Sequence, residues 1–493
     1  MWKLRQRGLS RKLFATLLAL FLIIILLREV NLYISATSRR SFLERRASLW
    51  DRLHPLLEAN RPNCPSPVLH GSAGTPRFDP VNDTPRPNYI SNSDELQGPL
   101  QTTHDSVIRA IRDLPLDRAY IPRTKGIVSA AGGTYLPTFV VSLRMLRRTG
   151  SKLPVEIFVK DSAEYEPYIC EEVLPALGAN CLVLSDVLAS QGSTGSSRNI
   201  EHFQIKSFAI LFSSFEKVLW LDADCVPLHD PSTLLGSEPF TSAGLVSWPD
   251  FWANTASPLY FNISRQPELA MTARPATEAG MLLVSKRDHF LTLLLAAYYN
   301  YYGPSHYYPL LDQGAPGEGD KDTFIQAAAV LGEKYYVVQE PVSDLGHPAS
   351  DGGVIGAAML HADPIQDYYS SQPTKWYRKS RVADQPPRGF FVHAYSPEFN
   401  PGEDLLGPKS RNRDGSPGRV WTAPKKAIQR FGYDVEKAYW EEAKTVGCTL
   451  EHSFGTWESK SGVCSGVQAH WKAVFEDRSA ENPMFTTEDS PVF

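Results

Sequence analysis

Through the middle of this chain, short apolar runs of four to seven residues alternate with longer amphipathic stretches, a rhythm that predicts strands and helices in turn. Strands are expected at 126–130, 153–159, 181–184 and 218–221, with helices at 137–149, 165–177 and 203–215 between them. Further along, 244–248, 280–284, 335–338 and 390–393 read as strands, and 288–301 and 323–331 as helices. Strands alternating with helices, with the Gly-rich crossover Ala131-Gly132-Gly133-Thr134 after the first, predict an α/β fold around a mostly parallel sheet. No internal repeat interrupts it.

The ends of the chain follow other patterns. Residues 13–27 are apolar except for Thr16, preceded by Lys3, Arg5, Arg7, Arg11 and Lys12 and followed by Arg28-Glu29. Such a helix rises only about 22 Å. Snorkelling of Lys12 and Arg28, helped by Val30, Leu32 and Tyr33, extends it toward a membrane span, and no clear small-x-small cleavage site follows. We therefore expect an uncleaved anchor over 13–33, with 1–12 cytoplasmic by the positive-inside rule and the remainder luminal, a single-pass type II topology. From 34 to 122 the chain is rich in Pro, Ser, Asn and charge, and reads as a luminal stem. A catalytic domain is expected over 123–475, and a loose acidic tail over 476–493.

Net charge is −4, with no basic stripe outside the extreme N-terminus, which argues against a nucleic-acid partner. The sequons Asn82-Asp83-Thr84 and Asn262-Ile263-Ser264 mark Asn82 and Asn262 as candidate luminal glycosylation sites. Among the six cysteines, close spacing suggests the pairs Cys170 with Cys181 and Cys448 with Cys464, and Cys225 is expected to be a buried thiol.

The chemistry concentrates where the run Val218-Leu219-Trp220-Leu221 stops on Asp222-Ala223-Asp224. Residues i and i+2 at the end of an extended strand point the same way, so both carboxylates are expected to face one divalent cation. A second D-x-D, Asp320-Lys321-Asp322, lies in a Gly-rich loop, where a solvated turn is the competing reading. Functionally, Asp320 or Asp322 would orient an acceptor hydroxyl or stabilise an oxocarbenium-like centre, with Glu278 as a further candidate. Gly132 and Gly133 permit close approach to a nucleotide. Lys206 and Lys321 are the cations placed to reach a donor diphosphate. Aromatic density at Trp248, Phe251, Trp252, Tyr260 and Phe261 and over 298–308 is divided between core packing and an acceptor groove.

The succession Gln204-Ile205-Lys206-Ser207-Phe208-Ala209 through Ser213-Ser214-Phe215-Glu216-Lys217-Val218-Leu219-Trp220-Leu221-Asp222-Ala223-Asp224 resembles the fungal Golgi mannosyltransferase family that extends mannan and N-glycan outer chains. Trp248-Pro249-Asp250-Phe251-Trp252, Glu278-Ala279-Gly280, Tyr298-Tyr299-Asn300-Tyr301-Tyr302-Gly303-Pro304 and Gly317-Glu318-Gly319-Asp320-Lys321-Asp322-Thr323-Phe324 are similar to its α-1,2 branch. The resemblance, covering roughly 126–401, implies a GT-A fold, GDP-mannose as donor, Mn2+ as cofactor, and retaining transfer to a mannose-terminated glycan. It also implies Golgi membrane residence and membership of a Golgi mannosyltransferase complex. GT-A enzymes draw a further metal ligand from a histidine after the last core strand, which points to His393, followed by Asn400-Pro401, with His361 as competitor. The metal set is then Asp222, Asp224 and His393. The alternatives are an α-1,3-mannosyltransferase, a UDP-sugar-dependent hexosyltransferase, or an inactive membrane-anchored glycan-binding protein.

Overall fold

The computed structural model describes residues 16–17, 21, 37–114, 118–189, 200–317, 319–371 and 385–476. Most of the expected anchor and the tail beyond 476 lie outside the described residues. No described helix is long and apolar enough to cross a membrane.

The centre is a seven-stranded sheet of β1 (Ile121–Ala130), β2 (Val155–Val159), β3 (Ala179–Val183), β4 (Phe215–Leu221), β6 (Leu245–Ala253), β7 (Pro275–Ser285) and β8 (Tyr336–Val337). Its strand order is β3-β2-β1-β4-β7-β6-β8. Only β7 runs against its neighbours; the other contacts are parallel. The mostly parallel sheet is thus as the hydrophobic rhythm predicts. β4 is buried along its whole length except at half-buried Lys217, as expected of a central strand covered on both faces.

A second, antiparallel sheet was not anticipated: β5 (Cys225–Pro227), β11 (Gly389–His393), β10 (Val354–Ala362) and β9 (Ser343–Pro348), in that order. β5 leaves the turn after β4 and pairs with β11, so that Cys225 faces His393 across the ladder. This register joins Cys225 to a residue 168 positions further along the sequence (393 − 225).

Helices cover both faces. The Gln204–Phe212 helix ends three residues earlier than the sequence suggests, because Phe215 opens β4 and Ser214 N–H donates to Glu156 at 2.9 Å. Phe290–Tyr301 is buried almost all round, and Thr323–Leu331 has the predicted bounds. The expected helix over 165–177 is instead a π turn at Ile169–Val173 continuing into Leu174–Ala176.

The stretch read as a stem is packed. A helix over 37–59 buries Trp50 edge-on against Phe208 and Phe212, 6.1 and 6.0 Å between ring centroids. The hydroxyls of Tyr302 and Tyr298 donate to the carbonyls of Leu57 and Asn60 at 2.8 and 3.0 Å. The Arg86 guanidinium is buried and donates to the carbonyls of Asn254 and Ala256 at 2.7 and 3.0 Å. The Ser93–Asp113 helix buries Leu96, Leu100, Val107 and Ile111. A free spacer would expose these apolar groups, so the folded body begins by about residue 37 rather than 123. The disulfides Cys170–Cys181 and Cys448–Cys464 are present as expected, and Cys225 is a buried free thiol.

Candidate active site

A cavity of about 990 Å3 opens along the carboxyl ends of the parallel strands, the edge where open α/β sheets bind ligands. It runs from Phe158 and Lys160 at the end of β2, past Gly132 and Gly133 after β1, to Asp222 and Asp224 after β4 and on to Asp250 and Trp252 at the end of β6.

Asp222 and Asp224 converge there, though not by the expected strand alternation. β4 ends at Leu221, and the pair occupies the turn into β5, closed by Cys225 N–H donating to the Asp222 carbonyl at 3.1 Å. His393, delivered by the β5–β11 ladder, completes a trio whose ligand atoms all lie within 4.8 Å of one another. Its Nε2 is 3.1 Å from Asp224 Oδ1, and Ala394 N–H donates to the Asp224 carbonyl at 3.0 Å. His361 is buried on β10 and is no part of the trio; both of its ring nitrogens lack a hydrogen-bond partner among the described residues. Burial holds its imidazole down to about 3, hence neutral.

Glu278 stands behind His393. Its Oε1 accepts from the Ala279 and Gly280 N–H groups at 2.9 and 2.7 Å and lies 3.4 Å from His393 Nδ1. A Cβ at position 280 would lie 2.6 Å from that nitrogen, so only glycine fits. Burial works against charge on both groups, yet their contacts win. Glu278 is held well below the carboxylate range by His393, and His393 is lifted well above the usual histidine value by Asp224 and Glu278.

Lys206, expected at the donor diphosphate, lines the cavity and there joins two of its carboxylates. Its buried ammonium lies 3.2 Å from both Asp222 Oδ1 and Asp320 Oδ2 and donates to the Ala279 carbonyl at 2.6 Å. Burial opposes its charge, but Asp222, Asp320 and Glu278 outweigh burial and raise its pKa. Asp320 lines the cavity, and burial followed by the neighbouring Asp222 pushes its carboxyl up to about 6 despite Lys206. Asp322 does not reach the cavity. It is buried against Arg274 at 3.1 Å and accepts from Thr277 Oγ1 at 3.2 Å, the sequence-expected catalytic role giving way to a closed ion pair. Lys321 lines the cavity, bound to Asp250 Oδ2 at 3.2 Å and the Pro316 carbonyl at 2.8 Å.

Gly132 packs against the Glu164 carboxylate, which accepts from Lys160 N–H at 2.9 Å, so the turn after β1 is lined by an acid. Sequence reasoning passed over Glu164, Asp250, Tyr135 and Glu398, all on the cavity wall. Glu398 lies five residues beyond His393, and burial, then Asp224, pushes its carboxyl up to about 7. The only signal for it was proximity to the histidine. Asn400 ties this loop to the turn after β1 by donating from Nδ2 to the Thr134 carbonyl at 2.7 Å.

Most of the expected aromatic set is core: Trp248, Tyr260, Phe261, Tyr298, Tyr299, Tyr301, Tyr302 and Tyr307 are buried. Phe251 and Trp252 are half-buried and face the cavity. Asn82 and Asn262 are both exposed.

A cavity at the carboxyl edge of a parallel sheet, with two carboxylates and an imidazole converging at its centre, defines a ligand site of the kind that α/β enzymes use for phosphorylated substrates. Residues 124–274 and 269–363 match the family described as "Mannosyltransferase putative". The chain is 33% identical over 441 residues to the alpha-1,2-mannosyltransferase MNN21 of Candida albicans, covering 78% of this chain and 66% of that one. It is 38% identical to MNN24 of the same organism over 50% of this chain and 39% of the relative. To MNN2 of Saccharomyces cerevisiae it is 30% identical, over 71% and 68%. The chain belongs to this fungal mannosyltransferase family. It spans between 39% and 66% of the lengths of MNN21, MNN24 and MNN23 of Candida albicans. Among solved structures, a galactosyltransferase LgtC in complex with donor and acceptor sugar analogues aligns with 62% of this chain and 95% of its own, at 14% identity and a TM-score of 0.31.

Proposed function

We propose that the chain is a divalent-metal-dependent mannosyltransferase of GT-A type that moves mannose from GDP-mannose to a mannose-terminated glycan, forming α-1,2 bonds with retention. The observation that carries this reading is the convergence of Asp222, Asp224 and His393 at the middle of the cavity. Two carboxylate oxygens and an imidazole nitrogen suit Mn2+. Carboxylates also outnumber cations here: among the described residues, Asp222, Asp224, Glu278 and Asp320 form ion pairs with Lys206 and His393 alone. When bound, the ion offsets the charge that gathers on the departing diphosphate.

The protein's own groups divide the remaining work. Trp220 Nε1 donates to Asp222 Oδ1 at 2.7 Å and, with Lys206, fixes that carboxylate's orientation. Glu278 orients His393 from behind, as carboxylates commonly do for ligating histidines. It is therefore a positioning residue in this reading rather than the group at the reacting carbon. Asp320, which lines the cavity and has its carboxyl pushed up to about 6 by burial, is in this reading the acid that faces the transferred sugar. Lys321, with one proton not engaged by Asp250 or Pro316, is the cation offered to the donor.

An uncleaved anchor over 13–33 and Golgi residence in a type II orientation complete the proposal, with Asn82 and Asn262 as glycan carriers and a complex with other mannosyltransferases as its setting. The test is to incubate the protein with a panel of nucleotide sugars and mannose oligosaccharides, with Mn2+ or with chelator, and to analyse the product linkages. Metal-dependent transfer from GDP-mannose giving α-1,2 products is the expected result. Use of a UDP-sugar in preference, or undiminished transfer in chelator, would overturn the proposal.

A further inference from the structure

The cavity crosses the sheet edge from β2 to β6, four strand spacings or about 19 Å. That is room for a nucleotide sugar and at least one additional sugar ring. The turn after β1 marks the nucleotide half and the Asp222–Asp224–His393 trio marks the diphosphate, which leaves the β6 end for another occupant.

That end is built by the segment ahead of the sheet. Residues 76–78 run alongside the end of β6: Ala253 N–H donates to the Pro76 carbonyl at 2.8 Å, Phe78 N–H donates to the Phe251 carbonyl at 3.1 Å, and Arg77 pairs with Trp252. The Arg77 guanidinium lies 5.4 and 5.7 Å from the ring centroids of Phe251 and Trp252 and 3.3 Å from Asp344. The same segment fastens the opposite flank, where Ala73 N–H donates to the Gln313 carbonyl at 2.9 Å and Ser72 Oγ to that of Gly314 at 2.7 Å, just before the cavity residues Pro316 and Gly317. Two half-buried rings, braced by a cation and held open at a cavity wall, sit beside the Asp250 carboxylate. A pyranose matches this arrangement, with a C–H face for a ring and hydroxyls for a carboxylate.

We infer that Phe251, Trp252 and Asp250, braced by Arg77, form the acceptor subsite, taking a mannose residue of the acceptor glycan with its apolar face on Trp252 and a hydroxyl on Asp250. This rests on the proposed mannosyl transfer for the identity of the sugar. It also gives the pre-sheet segment a direct part in choosing the acceptor.

The experiment uses the detergent-solubilised full chain and measures binding of α-mannobiose, and separately of GDP with Mn2+, by calorimetry. Trp252→Ala is expected to weaken α-mannobiose binding at least tenfold while GDP affinity stays within twofold, which also shows that the variant is folded. Trp252→Phe should recover most of the loss, and Arg77→Ala should weaken α-mannobiose binding several-fold. Unchanged α-mannobiose binding in Trp252→Ala would overturn the subsite. So would a parallel loss of GDP affinity, because the ring would then be a platform for the base. Wild-type protein that binds GDP but not α-mannobiose sinks the subsite and leaves the donor reading standing; the reverse result sinks the donor reading alone.

Discussion

In the turn after β4, Asp222 and Asp224 meet one lysine, shared with Asp320, and one histidine, shared with Glu278. In the loop before the Thr323–Leu331 helix the same D-x-D spacing is closed at its second acid: Asp322 has Arg274 and the intervening Lys321 has Asp250, while Asp320 shares Lys206 with Asp222. Buried acids matched one-to-one by cations hold a loop in place and are costly to separate. A cluster short of positive charge keeps room for a cation from outside. Spacing in sequence therefore does not distinguish a metal motif from a structural one; the count of local counter-ions does.

The largest expected effect falls on the closed cluster. Asp322→Asn leaves Arg274 without its carboxylate partner and should lower stability by about 3–5 kcal/mol, as for other broken buried pairs, with Mn2+ affinity unchanged in the folded fraction. Denaturant melts together with a metal titration check both halves, and lost metal affinity at full stability would erase the distinction between the clusters. Asp320→Asn, at the cavity wall, should behave otherwise. GDP and Mn2+ affinity should persist while turnover falls at least a hundredfold, about 2.7 kcal/mol of barrier, read as mannose transfer to α-mannobiose. Near-normal turnover would assign Asp320 to the structural side.

His361 and His393, on paired strands of the antiparallel sheet, extend the comparison to pH. His361 is held at about 3 by burial, below its unfolded value near 6.5. Folding thus favours its neutral form. The stability it contributes is complete above about 6.5 and declines as pH falls toward about 3, by up to roughly 1.4 kcal/mol per unit. Between pH 6.5 and 5 the wild type should lose roughly 2 kcal/mol more than His361→Gln, measured by urea midpoints. Equal losses would mean that His361 is not the buried neutral group described.

The strands of the central sheet were legible because each is a short apolar run bounded by turn residues, and Asp222 and Asp224 were legible because they end the apolar run 218–221, whereas His393 came only with the family resemblance. The antiparallel sheet was not. β5 has only three residues, and β9 carries Gly346 and Pro348, which weaken any strand signal. Its effect, setting His393 beside Asp224, depends on a register that no local pattern encodes. The role of Arg77 was hidden for the same reason, since its partners Trp252 and Asp344 lie 175 and 267 positions away. Proline crowding before the sheet suggested a spacer, yet Leu49, Trp50, Leu53 and Leu57, spaced i, i+1, i+4 and i+8, already carried a helical face, and those residues are buried. Asp322 misled because position beside a cavity residue does not imply facing the cavity.

The central claim is that Asp222, Asp224 and His393 hold a divalent cation, and calorimetric titration of Mn2+ into the folded protein tests it most directly. The account predicts one site in the wild type and at least a hundredfold weaker binding in Asp224→Asn. His393→Ala should weaken it at least tenfold, about 1.4 kcal/mol, and His361→Ala should match the wild type. Wild-type affinity in folded Asp224→Asn, or loss in His361→Ala with none in His393→Ala, would contradict it.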